Sequence, residues 1–175
     1  MILETERLLL REMDYDDFGD IAEMLKNPKV MYAYEHSFSD DDIYAWIERQ
    51  MKRYKEYGFG LWAMVLKPTG DVVGQAGITM QHYKDSEIPE IGYLLKERFW
   101  HHGYAVEAAF GCREYAFNVL GLRKVYSIIK TDNEPSMKVA ASIGMRLEDS
   151  FTAYYYNGGV PHYLFSVESS GKLPC

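Results

Sequence analysis

Behind Gly103, the residues Ala105, Ala108, Ala109, Cys112, Ala116, Val119 and Leu120 recur at helical spacing. Apolar side chains three and four apart share one face, so the run predicts a long helix whose small-residue face packs tightly against a sheet. Gly121 reads as the residue that ends it. The remaining segments supply that sheet and further helices. Leu8-Leu9-Leu10 reads as a first strand, and Asp14 to Asp17 offers caps for a helix with Phe18, Ile21, Ala22 and Leu25 on one face, ended by Asn27-Pro28. Ser39 with Asp42 resembles a capping box that opens a helix carrying Ile43, Trp46, Ile47 and Tyr54, and Gly58 stops it. Residues 59–67 and 72–80 form a hairpin around Pro68-Thr69-Gly70-Asp71, and residues 88–95 a third central strand. A strand at 124–129, a short helix at 135–142 ended by Gly144, and two strands joined by Asn157-Gly158-Gly159 complete the chain. One strand, two helices, three strands, a helix, a strand, a helix and two strands make an α+β fold of mixed layers.

A chain of 175 residues with 47% hydrophobic residues can build one core, so residues 1–175 are read as a single domain. With 19 basic against 26 acidic residues the net charge is −7, which disfavours a protein that coats nucleic acid. Cys112 and Cys175 are the only cysteines, so no disulfide framework is expected. The charged start, Glu4-Thr5-Glu6-Arg7, lacks a signal-peptide pattern, and no apolar run is long enough to span a membrane. These features predict a cytoplasmic protein without a membrane partner.

The junction Lys96 to Ala105 carries the most chemical information. The first turn of a helix exposes N–H groups without internal partners at the positive end of the peptide dipoles, and Gly103 leaves room for a phosphate to approach them. The residues alone leave open whether Gly103 serves a ligand or merely starts a helix. No P-loop, dinucleotide fingerprint or nucleophile elbow is present. His101 and His102 are adjacent, and His36, His82 and His162 are scattered, so no metal site is expected.

The run Trp100-His101-His102-Gly103-Tyr104-Ala105, followed by Val106-Glu107-Ala108, resembles the acetyl-CoA-binding motif of the GNAT superfamily of N-acetyltransferases. The RimJ/RimL-type branch is the part it resembles most, through Thr5 to Arg11, Glu90-Ile91-Gly92-Tyr93, and Asn133-Glu134-Pro135-Ser136 leading to Gly144-Met145. That resemblance implies a central, mostly antiparallel twisted sheet flanked by helices, and acetyl-CoA as co-substrate. It places the pyrophosphate on the amides of His101, His102, Gly103, Tyr104 and Ala105, beside Trp100, and the pantetheine arm along Tyr93, Leu94 and Leu95. It also implies that this strand splays from the 124–129 strand, that Asn133 contacts the pantetheine and that Ser136 lies near the sulfur. Two residues depart from the pattern: His101 stands where a glycine is usual, with its side chain expected to point outward, and Met145 where Phe is preferred. Capping of the following helix is the plain alternative for Asn133 and Ser136.

Acetyl transfer to an amine needs a neutral nucleophile, stabilisation of an oxyanion and a proton for the leaving thiolate. Glu90 is the first candidate for the base and His162 the second; Ser136 or a tyrosine could supply the proton. Tyr154 and Tyr156 would share one strand face and Tyr155 the other. Glu35, Asp40, Asp41, Asp42 and Asp85 could draw in a cationic amine, or could be solvated. The resemblance implies direct transfer without an acetyl-enzyme, with Cys112 in the core, and often a homodimer. It admits a protein N-terminal amine, ribosomal ones included, or a small amine or polyamine as acceptor. A non-catalytic acyl-CoA-binding module is the competing class.

Overall fold

The computed structural model describes residues 1–34, 36–155 and 158–171; Glu35, Tyr156, Asn157 and residues 172–175, Cys175 among them, lie outside it, as does the side chain of Tyr155. In chain order the elements are β1 (Leu3–Glu4), β2 (Leu8–Arg11), α1 (Phe18–Leu25), α2 (Asp40–Tyr57), β3 (Leu61–Leu66), β4 (Val72–Tyr83), β5 (Ser86–Leu95), α3 (Tyr104–Asn118), β6 (Lys124–Lys130), α4 (Glu134–Ser142), β7 (Arg146–Tyr155) and β8 (Gly158–Glu168). All eight strands belong to one sheet, in the order β1-β2-β3-β4-β5-β6-β8-β7. Every neighbouring pair is antiparallel except β5 and β6, which run parallel.

Strand β3 shows how the layers are divided. Its residues alternate, so Trp62 and Met64 enter a core with Ala108, Ala109, Cys112 and Ala116 of α3, while Leu61 and Ala63 enter a second core with α1 and α2. The four small residues of α3 are fully buried, which is what the alanine spacing predicts. That helix ends at Asn118, slightly earlier than the pattern suggests; Val119 is its cap, and Gly121 follows in the left-handed region at φ 67°. Helix α2 begins with the expected capping box, in which Ser39 Oγ accepts from the Asp42 N–H and the Asp42 carboxylate accepts from the Ser39 N–H. Gly58 ends it at φ 77°.

Two features differ from the sequence reading. Strand β1 is too short to show a period, and exists because the turn at Thr5 lays Leu3 and Glu4 against Leu10 and Leu9. The hairpin of β4 and β5 extends well beyond residues 80 and 88, to Tyr83 opposite Ser86. Its turn is only Lys84-Asp85, with Lys84 at φ 52°, so no glycine marks it.

Polar ties hold the helices against the sheet at the loop that opens α3. Glu107 accepts from the Arg7 N–H at 2.7 Å, from Arg7 Nε at 2.7 Å and from Thr5 Oγ1 at 2.6 Å. These contacts outweigh the cost of burial and hold its carboxyl below the usual range. The Thr5-Glu6-Arg7 segment is therefore a clasp around the first turns of α3. On the other face Lys96, 1% exposed, pairs with Asp20 at 2.5 Å and Glu23 at 2.9 Å, tying the end of β5 to α1.

Two glycines give opposite expectations. A Cβ on Gly77 would sit 2.0 Å from the Gly60 carbonyl oxygen, whereas one on Gly19 meets nothing within 4 Å. Gly77→Ala should destabilise the fold by about 1–3 kcal/mol, and Gly19→Ala, in an exposed helical turn, should stabilise it by about 0.5–1 kcal/mol. Urea unfolding of both variants checks the pair.

Candidate active site between two diverging strands

Strands β5 and β6 share a single residue pair, Glu90 with Tyr126. Past that pair they diverge, and groups that would have joined a ladder find other partners. The Ile128 N–H donates to Glu90 Oε1 at 3.1 Å, and the Ser127 hydroxyl donates to the Ile91 carbonyl at 2.8 Å. Farther along, the Tyr93 hydroxyl donates to the Ser136 carbonyl at 3.0 Å, spanning the gap from β5 to α4. The gap opens into a cavity of about 460 Å³, within the usual range for small-molecule sites.

Glu90 stands where the strands part. Burial raises its pKa to about 7, against the opposing pull of the Ile128 N–H, Arg53 and Gln81. A carboxylate with that value can take up a proton at neutral pH. His162, on β8, is buried and lines the same cavity, with Nδ1 2.8 Å from the Val160 carbonyl. A carbonyl only accepts, so Nδ1 carries the proton in the neutral ring and Nε2 is the basic nitrogen. Burial lowers the His162 pKa, favouring that neutral form.

Asn133 and Ser136 also reach the cavity wall. Asn133 caps α4, its Oδ1 accepting from the Ser136 N–H at 3.1 Å, so the capping reading holds while both residues still face the cleft. Tyr93 and Leu94 line the cavity, whereas Leu95 packs toward α3. Burial holds the Tyr93 phenol protonated.

Trp100 turns inward, donating from Nε1 to the Leu95 carbonyl at 3.1 Å and packing beside α1 and α2. His101 is exposed, with φ at 64°, a left-handed backbone on a residue that has a Cβ. Gly103 follows at φ 81°, and no side chain caps the N-terminus of α3. The nearest atom to a Cβ on Gly103 would be Arg7 Nη2 at 3.4 Å. Arg7 also donates to the His102 carbonyl at 3.0 Å and lies over the Tyr104 ring, so a cation borders these uncapped amides. A pyrophosphate fits such a place: open backbone N–H groups, the positive end of a helix and a guanidinium. His101 to Ala105 are not part of the cavity wall that holds Glu90; residues 90–95 of β5 join the two places over about 17 Å.

Several sequence candidates stand elsewhere. Asp40 pairs with Lys26 at 2.5 Å, Asp42 is engaged in its capping box, and Asp41 and Asp85 are absent from the wall. Tyr154 is 79% exposed, while Tyr156 and Glu35 lie outside the described residues. The Cys112 thiol is buried and pushed up to about 12, which suits the core and not a nucleophile. The wall instead contains Arg49, Arg53, Gln75 and Lys130, which the sequence reading did not select. The legible signal was polarity in the wrong place: Gln50 falls in the apolar stripe of α2, and Gln75 in the middle of a buried strand.

Comparison with known proteins gives the same answer as the geometry. The model of the Acetyltransferase (GNAT) domain family matches residues 7–146. A Bacillus subtilis protein, YkkB, is 36% identical over 144 residues, 82% of this chain and 84% of its own length. YoaA of the same organism, named an N-acetyltransferase, is 29% identical and covers 92% of each chain. Among solved structures, a GNAT-family acetyltransferase from Bacillus anthracis superposes with a TM-score of 0.82 at 26% identity, covering 96% of this chain and 98% of the other. The diverging strands, the uncapped helix behind them and the match over residues 7–146 place this chain in the GNAT family of acetyltransferases, enzymes that take their acetyl group from acetyl-CoA.

Proposed function

We propose that the protein transfers acetyl from acetyl-CoA directly to a primary amine, with Glu90 as the base. The observation that carries this is a carboxylate of pKa about 7 at the point where β5 and β6 part. Acetyl-CoA supplies the activated thioester. Its pyrophosphate is assigned to the amides of His101 to Ala105 beside Arg7, and its pantetheine to the edge of β5 at Tyr93, Leu94 and Leu95, facing Asn133. Glu90 accepts the proton of the incoming amine, directly or through water. Ser136, on the first turn of α4, is the assigned donor toward the leaving sulfur, with the protonated Tyr93 next to it. His162, which lines the same cavity, stands as the reserve base. The RimJ/RimL-like motifs support a place in that branch, whose acceptors include protein N-termini and small amines.

Turnover separates this reading from an acyl-CoA-binding module. Glu90→Gln should lower kcat about 10²-fold or more while leaving the acetyl-CoA Kd within about twofold, measured by stopped assay and calorimetry; equal activity would remove Glu90 from the chemistry. In the native enzyme the base works when ionised, so kcat/KM should rise with pH through about 7, and the variant should lose that limb. The same group affects folding with the opposite sign. Its folded pKa is raised, so the stability linked to it is fully present at low pH and declines as pH climbs toward about 7.

At the other end, Gly103→Val places a β-branched residue at φ 81° on the open face of the loop, and should weaken acetyl-CoA binding about tenfold or more. His101→Gly should do the reverse for the backbone, relieving a left-handed conformation worth about 1 kcal/mol. Thermal unfolding with and without acetyl-CoA reads both.

A further inference from the structure

The acidic chain has a basic cavity wall. Of the described side chains lining the cavity, Glu90 is the only carboxylate, while Arg49, Arg53 and Lys130 are cationic. Lys130 has its partners, Asp132 at 3.5 Å and the Tyr32 ring among them. Arg49 and Arg53 are not: among the described residues neither reaches a carboxylate at ion-pair distance, Arg49 resting on the Trp46 ring and Arg53 bonding to the Gln50 amide oxygen at 3.3 Å. They stand one helical turn apart on α2, and burial together with the neighbouring Arg49 charge lowers the Arg53 pKa. Arg53 is half-buried with the exposed Arg49 beside it, so an anion that joined them would offset both the burial of Arg53 and the like charge.

Another donor lies farther along the same trough. Gln75 is fully buried, and its Oε1 accepts from Trp46 Nε1 at 3.1 Å, which fixes the orientation of the amide. Among the described residues the Nε2 of Gln75 is then a buried donor without a partner, on the wall of the cavity. Gln75 is opposite Leu94 and Thr79 opposite Glu90, so Gln75 lies about 13 Å along the same sheet face from the Glu90 row. Arg53 is at the Glu90 end of that trough, where its charge acts on the carboxyl, and Trp46 at the Gln75 end. The phosphate-binding loop lies beyond the far end of β5, so Arg53 is placed away from it.

We infer that the acceptor is a small amine that also carries a carboxylate, the class of the free amino acids, with its amine at Glu90 and its carboxylate on Arg53, backed by Arg49 one helical turn away. A carboxylate accepts only, and two guanidinium groups offer only donors. A polyamine, with no anion, would leave the donors unanswered and set its cations against the arginines. The cavity is of a size for the end of the pantetheine arm and an acceptor of a few heavy atoms. This inference rests on the acetyltransferase reading and deepens it.

The test uses the whole protein with free amino acids, the corresponding amino-acid amides, putrescine, spermidine and a short acidic peptide. With acetyl-CoA present, at least one free amino acid should be acetylated with a kcat/KM about 100-fold or more above that of its amide, because the amide leaves the arginines unpaired. Arg53→Met should raise KM for that amino acid about tenfold or more with a smaller change in kcat, Arg53→Lys should restore part of it, and the acetyl-CoA Kd should stay within about twofold. Preference for the amides, the polyamines or the peptide overturns the inference, as does an Arg53→Met variant that loses acetyl-CoA affinity instead. Calorimetry on the CoA-loaded protein covers the case in which nothing is acetylated. Binding of amino acids that Arg53→Met abolishes upholds the carboxylate site while the transferase reading fails; no binding overturns the site itself.

Discussion

One parallel residue pair, Glu90 with Tyr126, is where the two antiparallel halves of the sheet meet as strands. A longer parallel ladder would have zipped β5 and β6 shut and left no site. A backbone that diverges inside a core must still satisfy its N–H and C=O groups. Here the Glu90 carboxylate and the Ser127 hydroxyl do so, and Tyr93 bridges the gap to α4 farther along. The same burial that makes those bonds necessary moves the Glu90 carboxyl toward neutrality. Structural need and chemical readiness thus have one cause, exclusion of water from the fork.

Net charge says little about the charge of a site. The chain carries −7 overall, yet many of its carboxylates are engaged in local structure: Asp42 in a cap, Asp17 with Arg11, Glu107 in the clasp, Asp20 and Glu23 around Lys96. Among the described residues, what faces the cleft is the remainder of that pairing, three cations at Arg49, Arg53 and Lys130 and one shielded glutamate. A cluster such as Asp40-Asp41-Asp42 is read from sequence as a field directed at a ligand, but a helix start gives it a local use first.

Local rules made much of the fold legible. The capping box at Ser39 and Asp42, the glycine stop at Gly58 and the alanine face of α3 each depend on residues close in sequence, and each stands as read. The turn at Lys84-Asp85 was hidden because its left-handed residue is a lysine, and β1 because a strand that short has no period. In the site, Glu90, Tyr93, Leu94, Asn133, Ser136 and His162 converge on one cavity. Arg49, Arg53 and Gln75 were invisible for a different reason: their meaning comes from what they lack among the described residues, an ion partner for the arginines and a hydrogen bond for the Gln75 Nε2, and only tertiary packing shows it.

His101 shows what the loop asks of evolution. The backbone there is left-handed, so the requirement falls on conformation and not on a particular side chain. Glycine meets it at no cost, and asparagine, aspartate or histidine at a modest one, while valine or isoleucine would be strained. Drift at this position is therefore confined to a small alphabet, glycine and a few polar side chains, chosen by backbone shape. A fingerprint written in residue letters records glycine as the rule and histidine as an exception, although both trace the same bend in the chain.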